Sequence, residues 1–235
     1  KELREEPQDP NAPRRRRRKS KAQIFKEVYL PPIIVCVSMI LVLTFLIGSV
    51  SNAIKLKQIE NEKELSPEIK FICQQFYLPV DNNVLLLLAM RGTMSFKAFP
   101  SNASALGVAM KTEITYMTIG GQKILLLPGE NFVSTVYGGF MDKENSTTGL
   151  APEVNAEPLA DIAGDHEMIA FGVTNDMAGY CVPKNDFVLH PTQPYLNSTR
   201  DRFDENHYHE TNSMGPLTHK FIADTLKMVV KNFNS

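Results

Sequence analysis

The sequence predicts an α/β fold, a mixed sheet with helices on at least one face, plus one N-terminal transmembrane helix. Three observations predict this class. Residues 28–54 carry no charged side chain, over a length that suits a membrane span. Two short apolar segments further along read as buried strands with a helical pattern between them. Because non-alternating strands are typical of sheets buried on both faces, helices are expected to cover the sheet.

Composition narrows the class further. The 235 residues are 43% hydrophobic with a net charge of -1, which excludes a disordered or collagen-like chain. The three cysteines, Cys36, Cys73 and Cys181, are odd in number and one lies inside an apolar run, so the sequence indicates no disulfide framework. The chain begins with Lys1, and we expect the natural start to lie upstream.

The apolar run Ile33–Val50 (IIVCVSMILVLTFLIGSV) has the length of a membrane-spanning helix, which needs about 20 residues. A buried core helix of this length would be unusually apolar on every face. A cleaved signal peptide has a shorter apolar region and a small-residue cleavage site. We therefore expect an uncleaved anchor whose partner is the membrane lipid bilayer.

Charge on the two sides of this run predicts its orientation. Residues 14–26 contain eight Lys or Arg, and residues 51–70 contain four, so the N-terminus is expected to stay in the cytoplasm and the C-terminal domain to lie outside it. The run Arg14–Lys19 is also compatible with a nuclear signal or a nucleic-acid patch. Next to an apolar span it favours a topological and anionic-lipid role, so we expect no nucleic-acid partner. Three glycosylation sequons then lie outside, at Asn102, Asn145 and Asn197.

The composition divides the chain into four segments. We predict a basic cytoplasmic tail over 1–27, the transmembrane helix over 28–54, a juxtamembrane linker over 55–75 and a folded domain over 76–235. The linker is polar and of mixed charge, and Pro67 lies near its end.

The first half of the domain contains three apolar segments. Val84–Met90 (VLLLLAM) reads as a short buried segment, and Thr112–Ile119 alternates as a half-exposed strand does. Gly120-Gly121 predicts a turn. Lys123–Leu127 reads as a buried strand that Pro128-Gly129 ends.

The second half begins with a helical pattern and closes with a helix. Met168–Val173 reads as a second buried strand, and 141–166 as a surface loop beside the site. Gly215-Pro216 precedes the predicted last helix. The apolar positions at helical spacing are, in the first pattern, Phe132, Val133, Val136, Tyr137 and Phe140 and, in the last helix, Leu217, Phe221, Ile222, Leu226, Val229 and Phe233.

Polar side chains follow the two predicted buried strands. Glu130 comes after the first strand, and Asn175, Asp176 and Tyr180 come after the second. Ligands in such sheets bind beyond the carboxyl ends of the strands, so Glu130 and Tyr180 converge if the two strands are parallel neighbours. The plainer interpretation is a helix-terminus charge for Glu130 and a partly buried, singly hydrogen-bonded tyrosine for Tyr180.

Three segments, ILLLPGE (124–130), VTNDMAGYCVP (173–183) and ETNSMGP (210–216), occur in an order that resembles the C-terminal part of the catalytic domain of the neutral/alkaline, non-lysosomal ceramidases. The resemblance covers about residues 76–233. It implies a zinc-dependent amidohydrolase that cleaves the amide bond of N-acyl sphingosine or a similar lipid amide. In that family two histidines, the glutamate of LPGE and the tyrosine of ND-x-x-GY hold the zinc, which implies Glu130 and Tyr180 here.

The sequence also departs from this family. The family's two histidine ligands and essential serine come from an upstream region, and no corresponding motif stands in this chain, so we identify no catalytic residue and expect the chain to be inactive alone. In HYHE, His207 and His209 have the spacing of neighbours on one side of a strand, acceptable for two zinc ligands, with Glu210 beside them. The alternative is a polar surface stretch. The remaining histidines have no motif around them and receive no role: His166, His190 and His219.

Two functional classes remain. The first is a membrane-anchored, zinc-dependent, ceramidase-like amidohydrolase, present here as a partial catalytic domain. The second is a non-enzymatic single-pass membrane protein whose outer domain serves binding or interaction. An in-frame upstream segment with two histidines and a serine would distinguish the first class from the second.

Overall fold

The structure is a computed structural model that describes residues 20–40, 42–44, 50 and 66–235. The chain divides into two compact units, Lys1–Glu64 and Leu65–Ser235. The predicted basic tail lies mostly outside the described residues, as does most of the predicted linker. Each unit is described by itself.

The described part of the first unit is helical. Helix α1 spans Lys21–Ile24, a π-helical turn spans Phe25–Tyr29, and α2 continues over residues 30–40 and 42–44. The widened turn lies just before Pro31 and Pro32, which lack the N–H that a regular helix would donate to the preceding turn. The helix Phe25–Thr44 is long and apolar enough, by length and composition, to cross a membrane. A signal sequence and the core helix of a soluble protein meet the same criteria.

The second unit is a mixed α/β fold around one mixed sheet. The strand order is β1-β3-β4-β6, and β2 pairs with β3 beside this path. The β1–β3, β2–β3 and β3–β4 pairs are antiparallel, and β4–β6 is parallel. These strands are β1 (Ile69–Pro79), β2 (Ala98–Pro100), β3 (Val108–Ile119), β4 (Gln122–Leu126) and β6 (Ile169–Phe171).

Two small sheets and four helices complete the unit. The parallel pair is β5 (Glu130–Asn131) with β7 (Tyr180–Cys181), and the antiparallel pair is β8 (Thr199–Arg200) with β9 (Asn206–His207). The helices are α3 (Asn83–Met90), α4 (Val133–Tyr137), α5 (Leu159–Ala163) and α6 (Thr218–Phe233).

The hydrophobic core lies on one face of the main sheet, under α6. Helix α6 packs against β1 and β3, and α5 packs against α6. The predicted apolar stripe of the last helix is confirmed at Ile222, Leu226, Val229 and Phe233, which are all buried, whereas Leu217 precedes the helix and Phe221 is only partly buried. From the sheet, the core receives Leu78, Ile114, Tyr116, Leu125 and Leu127. Alternate residues of each strand supply this face, because successive side chains point to opposite sides.

Two sequence predictions at the start of the domain need correction. Strand β1 begins at Ile69, inside the predicted 55–75 linker, because Phe76 and Leu78 place its alternate side chains in the core. The predicted buried segment Val84–Met90 is helix α3, of which only Leu85 is buried. The Asn82 side chain starts this helix by accepting bonds from the amides of residues 84 and 85.

Three later predictions are also changed. Strand β6 was predicted to be buried, but Ile169 and Phe171 are 43% and 48% exposed, because β6 is the edge strand and these side chains leave the core face. Helix α4 stops at Tyr137, since Gly138 adopts a φ of 85°. The 141–166 segment is more than a surface loop, because it contains α5 with Leu159 fully buried.

Two neighbouring positions of α6 provide a test of this core. Leu226 is fully buried and Met228 is 54% exposed. We expect Leu226→Ala to lower the free energy of unfolding by about 2–5 kcal/mol, and Met228→Ala by at most about 0.5 kcal/mol. Urea unfolding followed by circular dichroism measures both. Equal losses would contradict the packing of α6 on the sheet.

Candidate metal site at the strand ends

The residues after the parallel strands β4 and β6 form a second parallel pair. In the β5–β7 pair, Glu130 and Tyr180 are direct register partners. The condition for their convergence is therefore met, since β4 and β6 are parallel neighbours. This arrangement brings together two side chains that stand fifty positions apart in the sequence, on the same face of the small sheet.

Backbone hydrogen bonds hold the two loops together. The Gly129 amide donates to the Asp176 carbonyl at 2.8 Å, and the Glu130 amide donates to the Gly179 carbonyl at 2.8 Å. The side chains of Asn175 and Asp176, which the sequence places at the strand end, face β3 instead of the Glu130–Tyr180 pair. Asn175 Nδ2 donates to the Glu113 carbonyl at 2.9 Å, and Asp176 Oδ2 accepts from the Thr112 hydroxyl at 2.6 Å.

Glycine allows this close approach. Gly129 has a φ of +73°, and a Cβ at this position would lie 2.3 Å from the Gly179 carbonyl oxygen. A Cβ at Gly179 would in turn lie 1.8 Å from the Asn212 carbonyl oxygen. Since real Cβ atoms do not approach backbone this closely, both positions require glycine.

The segment ETNSMGP (210–216) packs against the two loops that carry Glu130 and Tyr180. Ser213 forms an antiparallel bridge with Gly179. The Asn82 side chain donates to the Thr211 and Ser213 carbonyls at 3.0 and 2.9 Å, and the Asp81 amide donates to the Met214 carbonyl at 2.8 Å. The three segments that carry the family resemblance therefore meet at one place in the fold.

His209 belongs to the same cluster. Its ring lies 4.8 Å from the Tyr180 ring and 4.1 Å from the Tyr208 ring, and it meets the Phe132 ring edge-on at 5.1 Å. Glu130, Tyr180 and His209 thus combine a carboxylate, a phenol and an imidazole. Tyr208 and Phe132 were not predicted as part of the site, because a single aromatic side chain gives no distinctive sequence signal.

The electrostatics of the cluster keep Tyr180 protonated. Hydrogen bonding to Tyr208, partial burial and the negative charge of Glu130 raise the pKa of Tyr180 to about 12. Burial lowers the pKa of His209 below its usual value, and the charge of His207 adds to this. Both groups are therefore neutral at pH 7, and Glu130 contributes the negative charge.

His207 has a different environment from His209, because the two histidines do not lie as neighbours on one side of an extended strand, the geometry that one interpretation of HYHE required. A 3₁₀ turn over His209–Asn212 follows β9 and rotates the chain out of the extended form. His207 Nδ1 lies 2.9 Å from Glu210 Oε1, and its Nε2 lies 3.1 Å from Asp201 Oδ2. Because both ring nitrogens face carboxylates, His207 forms an ion triad with Asp201 and Glu210.

The remaining histidines lie outside the cluster, and Tyr137 is engaged elsewhere. His166 pairs with Asp161, and His190 accepts bonds from the amides of the turn that follows it. His219 is buried in the first turn of α6. The Tyr137 hydroxyl donates to the Met168 carbonyl at 2.7 Å. Beside the cluster, a cavity of about 340 Å³ is lined by both Phe132 and His209.

Two of these three donors are of types that zinc prefers. Carboxylate oxygen and imidazole nitrogen are common zinc ligands, and a hydrolytic site keeps three protein ligands with one open position. Within residues 20–40, 42–44, 50 and 66–235, no group of three or more His, Cys, Asp or Glu side chains is arranged to hold a metal ion. Comparison with family models, curated proteins and solved structures finds no match to this chain.

The glycine contact predicts a specific sensitivity. Gly92 has the same φ of +73° as Gly129, but a Cβ at Gly92 would meet no other atom within 4 Å. We expect Gly92→Ala to cost about 1–2 kcal/mol for the left-handed conformation alone, and Gly129→Ala to cost more because its Cβ meets the Gly179 carbonyl. Urea unfolding measures the stability, and tyrosine near-ultraviolet dichroism reports the cluster. Equal effects of the two substitutions would contradict the close approach of the two loops.

The ion triad predicts a pH dependence of stability. Burial lowers the pKa of His207, but bonds and charge from Glu210 and Asp201 outweigh it and raise the pKa overall. Since the folded pKa is raised, the stabilisation is complete below the unfolded value of about 6.5 and is lost as the pH rises through the folded pKa. We expect His207→Gln to remove this alkaline loss in urea unfolding measured from pH 5 to 9.

The acid side of the same curve is set by Asp201. Burial raises its pKa, but amide bonds from Glu205 and Phe203 and the bond to His207 lower it overall. Its contribution to stability is therefore present above the unfolded pKa of about 3.9 and is lost as the pH falls through the lowered folded pKa.

The matched control for His207→Gln is His166→Gln, at an exposed histidine. An unchanged alkaline slope in His207→Gln would contradict the triad.

Proposed function

We propose that this chain is part of a membrane-anchored, zinc-dependent amidohydrolase of the ceramidase type, with Glu130 and Tyr180 as two of its zinc ligands. Its substrate would be N-acyl sphingosine or a similar lipid amide. The observation that supports this proposal is the register pairing of Glu130 with Tyr180 in the β5–β7 pair. Two residues that the resemblance assigns to one metal stand side by side.

The chemistry sets a requirement for the ligand set. Zinc, when bound, polarises an amide carbonyl and lowers the pKa of a bound water. Glu130 supplies the negative charge that attracts the cation. Tyr180 is held beside it by the backbone bonds of the Gly129 loop, and His209 is the histidine that packs against Tyr180. We assign no catalytic residue within this chain.

The small number of zinc ligands determines the zinc affinity and the activity expected of the chain alone. Glu130 and Tyr180 are fewer than the three ligands of a hydrolytic zinc site. The chain would therefore bind zinc weakly and would not hydrolyse short-chain N-acyl sphingosine. Activity would need the two histidines and the serine that the family supplies from its upstream region.

The proposal includes the N-terminal helix as an anchor. With the helix Phe25–Thr44 spanning the bilayer and the basic residues on the cytoplasmic side, the domain would lie on the extracytoplasmic side of the membrane, and the anchor would keep it near a lipid substrate. Protease protection on right-side-out vesicles tests this orientation. We expect a C-terminal tag to be digested without opening the membrane, and a tag that resists digestion would contradict the proposal.

A second candidate is a non-enzymatic single-pass membrane protein whose outer domain serves binding. The apolar side chains exposed on the main sheet favour it, since Phe71 and Phe171 are 68% and 48% exposed. Large exposed apolar patches are typical of interaction surfaces. The two candidates differ in whether the Glu130–Tyr180 pair binds a metal.

Zinc titration of the full chain by isothermal calorimetry separates them. For the enzyme we expect one weak site, well below the about 10 kcal/mol of a complete structural zinc site. Glu130→Gln and Tyr180→Phe should each abolish it, because a two-oxygen set does not hold zinc after losing one member.

Matched controls make this titration specific. His166→Ala should leave zinc binding unchanged, because His166 lies outside the cluster and pairs with Asp161. The zinc affinity of His209→Ala shows whether His209 contributes to zinc binding. Zinc binding that survives both Glu130→Gln and Tyr180→Phe would contradict the ligand assignment and favour the second candidate.

A further inference from the structure

The face of the main sheet opposite α6 is mostly apolar. Its side chains align in rows across the strands, because register partners point to the same side. We call this surface the outer face. One row is Phe71, Met117, Ile124 and Ile169, the next is Cys73, Thr115, Leu126 and Phe171, and the third is Ile69, Ile119 and Gln122.

The outer face is open to solvent. Phe71 is 68% exposed and Ile69 is 61% exposed, while Leu78 and Ile114 on the opposite side of the same strands are completely buried. In the described residues of the second unit, the helices that pack on the sheet, α6 with α5 against it, lie on the core side. The sheet therefore has one covered face and one uncovered apolar face.

The charge pattern suits contact with an identical surface. The three rows contain no Asp, Glu, Lys or Arg. The first charges on the outer face are Glu113 and Lys111, in the next two rows along β3. A two-fold interface brings each central residue near its own copy, so an uncharged centre avoids like-charge repulsion, and the two opposite charges at the rim permit pairing between copies.

The outer face exposes a large apolar area. Taking a fully exposed aromatic side chain as about 200 Å², the exposed parts of Phe71, Ile69, Phe171 and Ile169 together present roughly 440 Å². This lies within the about 300–600 Å² of the largest patch on a typical monomeric protein, which is often functional. A specific interface buries about 800 Å² on each partner, so these four side chains would supply about half of it.

We propose that the outer face binds a second copy of this chain, so that two sheets pack face to face. Two such sheets would form an aligned β-sandwich about 10 Å thick, with the side chains of the rows interdigitated. This contact needs no metal and uses neither Glu130 nor Tyr180. It is therefore independent of the proposed zinc site.

The oligomeric state of the full chain tests this proposal. The chain, labelled at a C-terminal tag and reconstituted at low density in lipid vesicles, is examined by single-molecule photobleaching. We expect two bleaching steps for the wild type and one for Phe71→Asp, with a dissociation constant raised at least about 100-fold because two copies of the buried ring are lost. Met90→Asp, at a 78% exposed position on α3, should behave as the wild type.

Alkylation of Cys73 is a second readout that needs no variant. Cys73 lies on the outer face and is exposed in the single chain, so a membrane-impermeant maleimide should react slowly in the dimer and faster on dilution. Reactivity that is equal at high and low density would overturn the proposal. So would a wild type with one bleaching step, or a dimer that Phe71→Asp leaves intact while its circular dichroism is native.

Discussion

The parallel pairing of β4 with β6 is the constraint on which the rest of the site depends. The parallel arrangement continues beyond the main sheet into the β5–β7 pair. The loop that joins β4 to β5 and the loop that joins β6 to β7 are therefore held side by side. Gly129 and Gly179 allow the two loops to touch, because a methyl group at either position would meet a backbone oxygen. Asn175 and Asp176 fasten the second loop to β3. The positions of Glu130 and Tyr180 follow from these contacts.

Within the described part of the second unit, helices cover only one face of the main sheet, and this connects the proposed zinc site with the proposed dimer contact. The main hydrophobic core lies on the α6 side of the sheet, and a smaller hydrophobic cluster of Val182, Phe187 and Tyr195 packs against Tyr180. The polar cluster at the strand ends and the mostly apolar outer face are both left at the surface. The cluster offers a carboxylate, a phenol and an imidazole to a cation. The outer face offers mostly apolar contacts and no charge in its three rows, and it therefore fits a protein surface of similar character. A single domain thus presents two surfaces of different chemistry.

The sequence predicted the parts of the fold that local patterns determine. The turn at Gly120-Gly121, the strand that ends at Pro128-Gly129 and the stripe of α6 all follow from short-range periodicity. The convergence of Glu130 and Tyr180 was predictable because parallel strands share an edge. The exposure of β6 was not, since strand order decides which strand is at the edge. The separation of His207 from His209 was also hidden, because a 3₁₀ turn replaced the extended form that their spacing indicated.

An engineered disulfide between positions 130 and 180 tests the central pairing most directly. Neighbouring strands lie about 4.8 Å apart, within the about 4.4–6.8 Å that a disulfide spans between Cα atoms. In a Cys36→Ser, Cys73→Ser background, Glu130→Cys with Tyr180→Cys should form the disulfide under mild oxidation, as detected by mass spectrometry. The linked protein should retain the native circular dichroism spectrum. Failure of the 130–180 pair to link in a folded chain would contradict the parallel arrangement of the two strand ends.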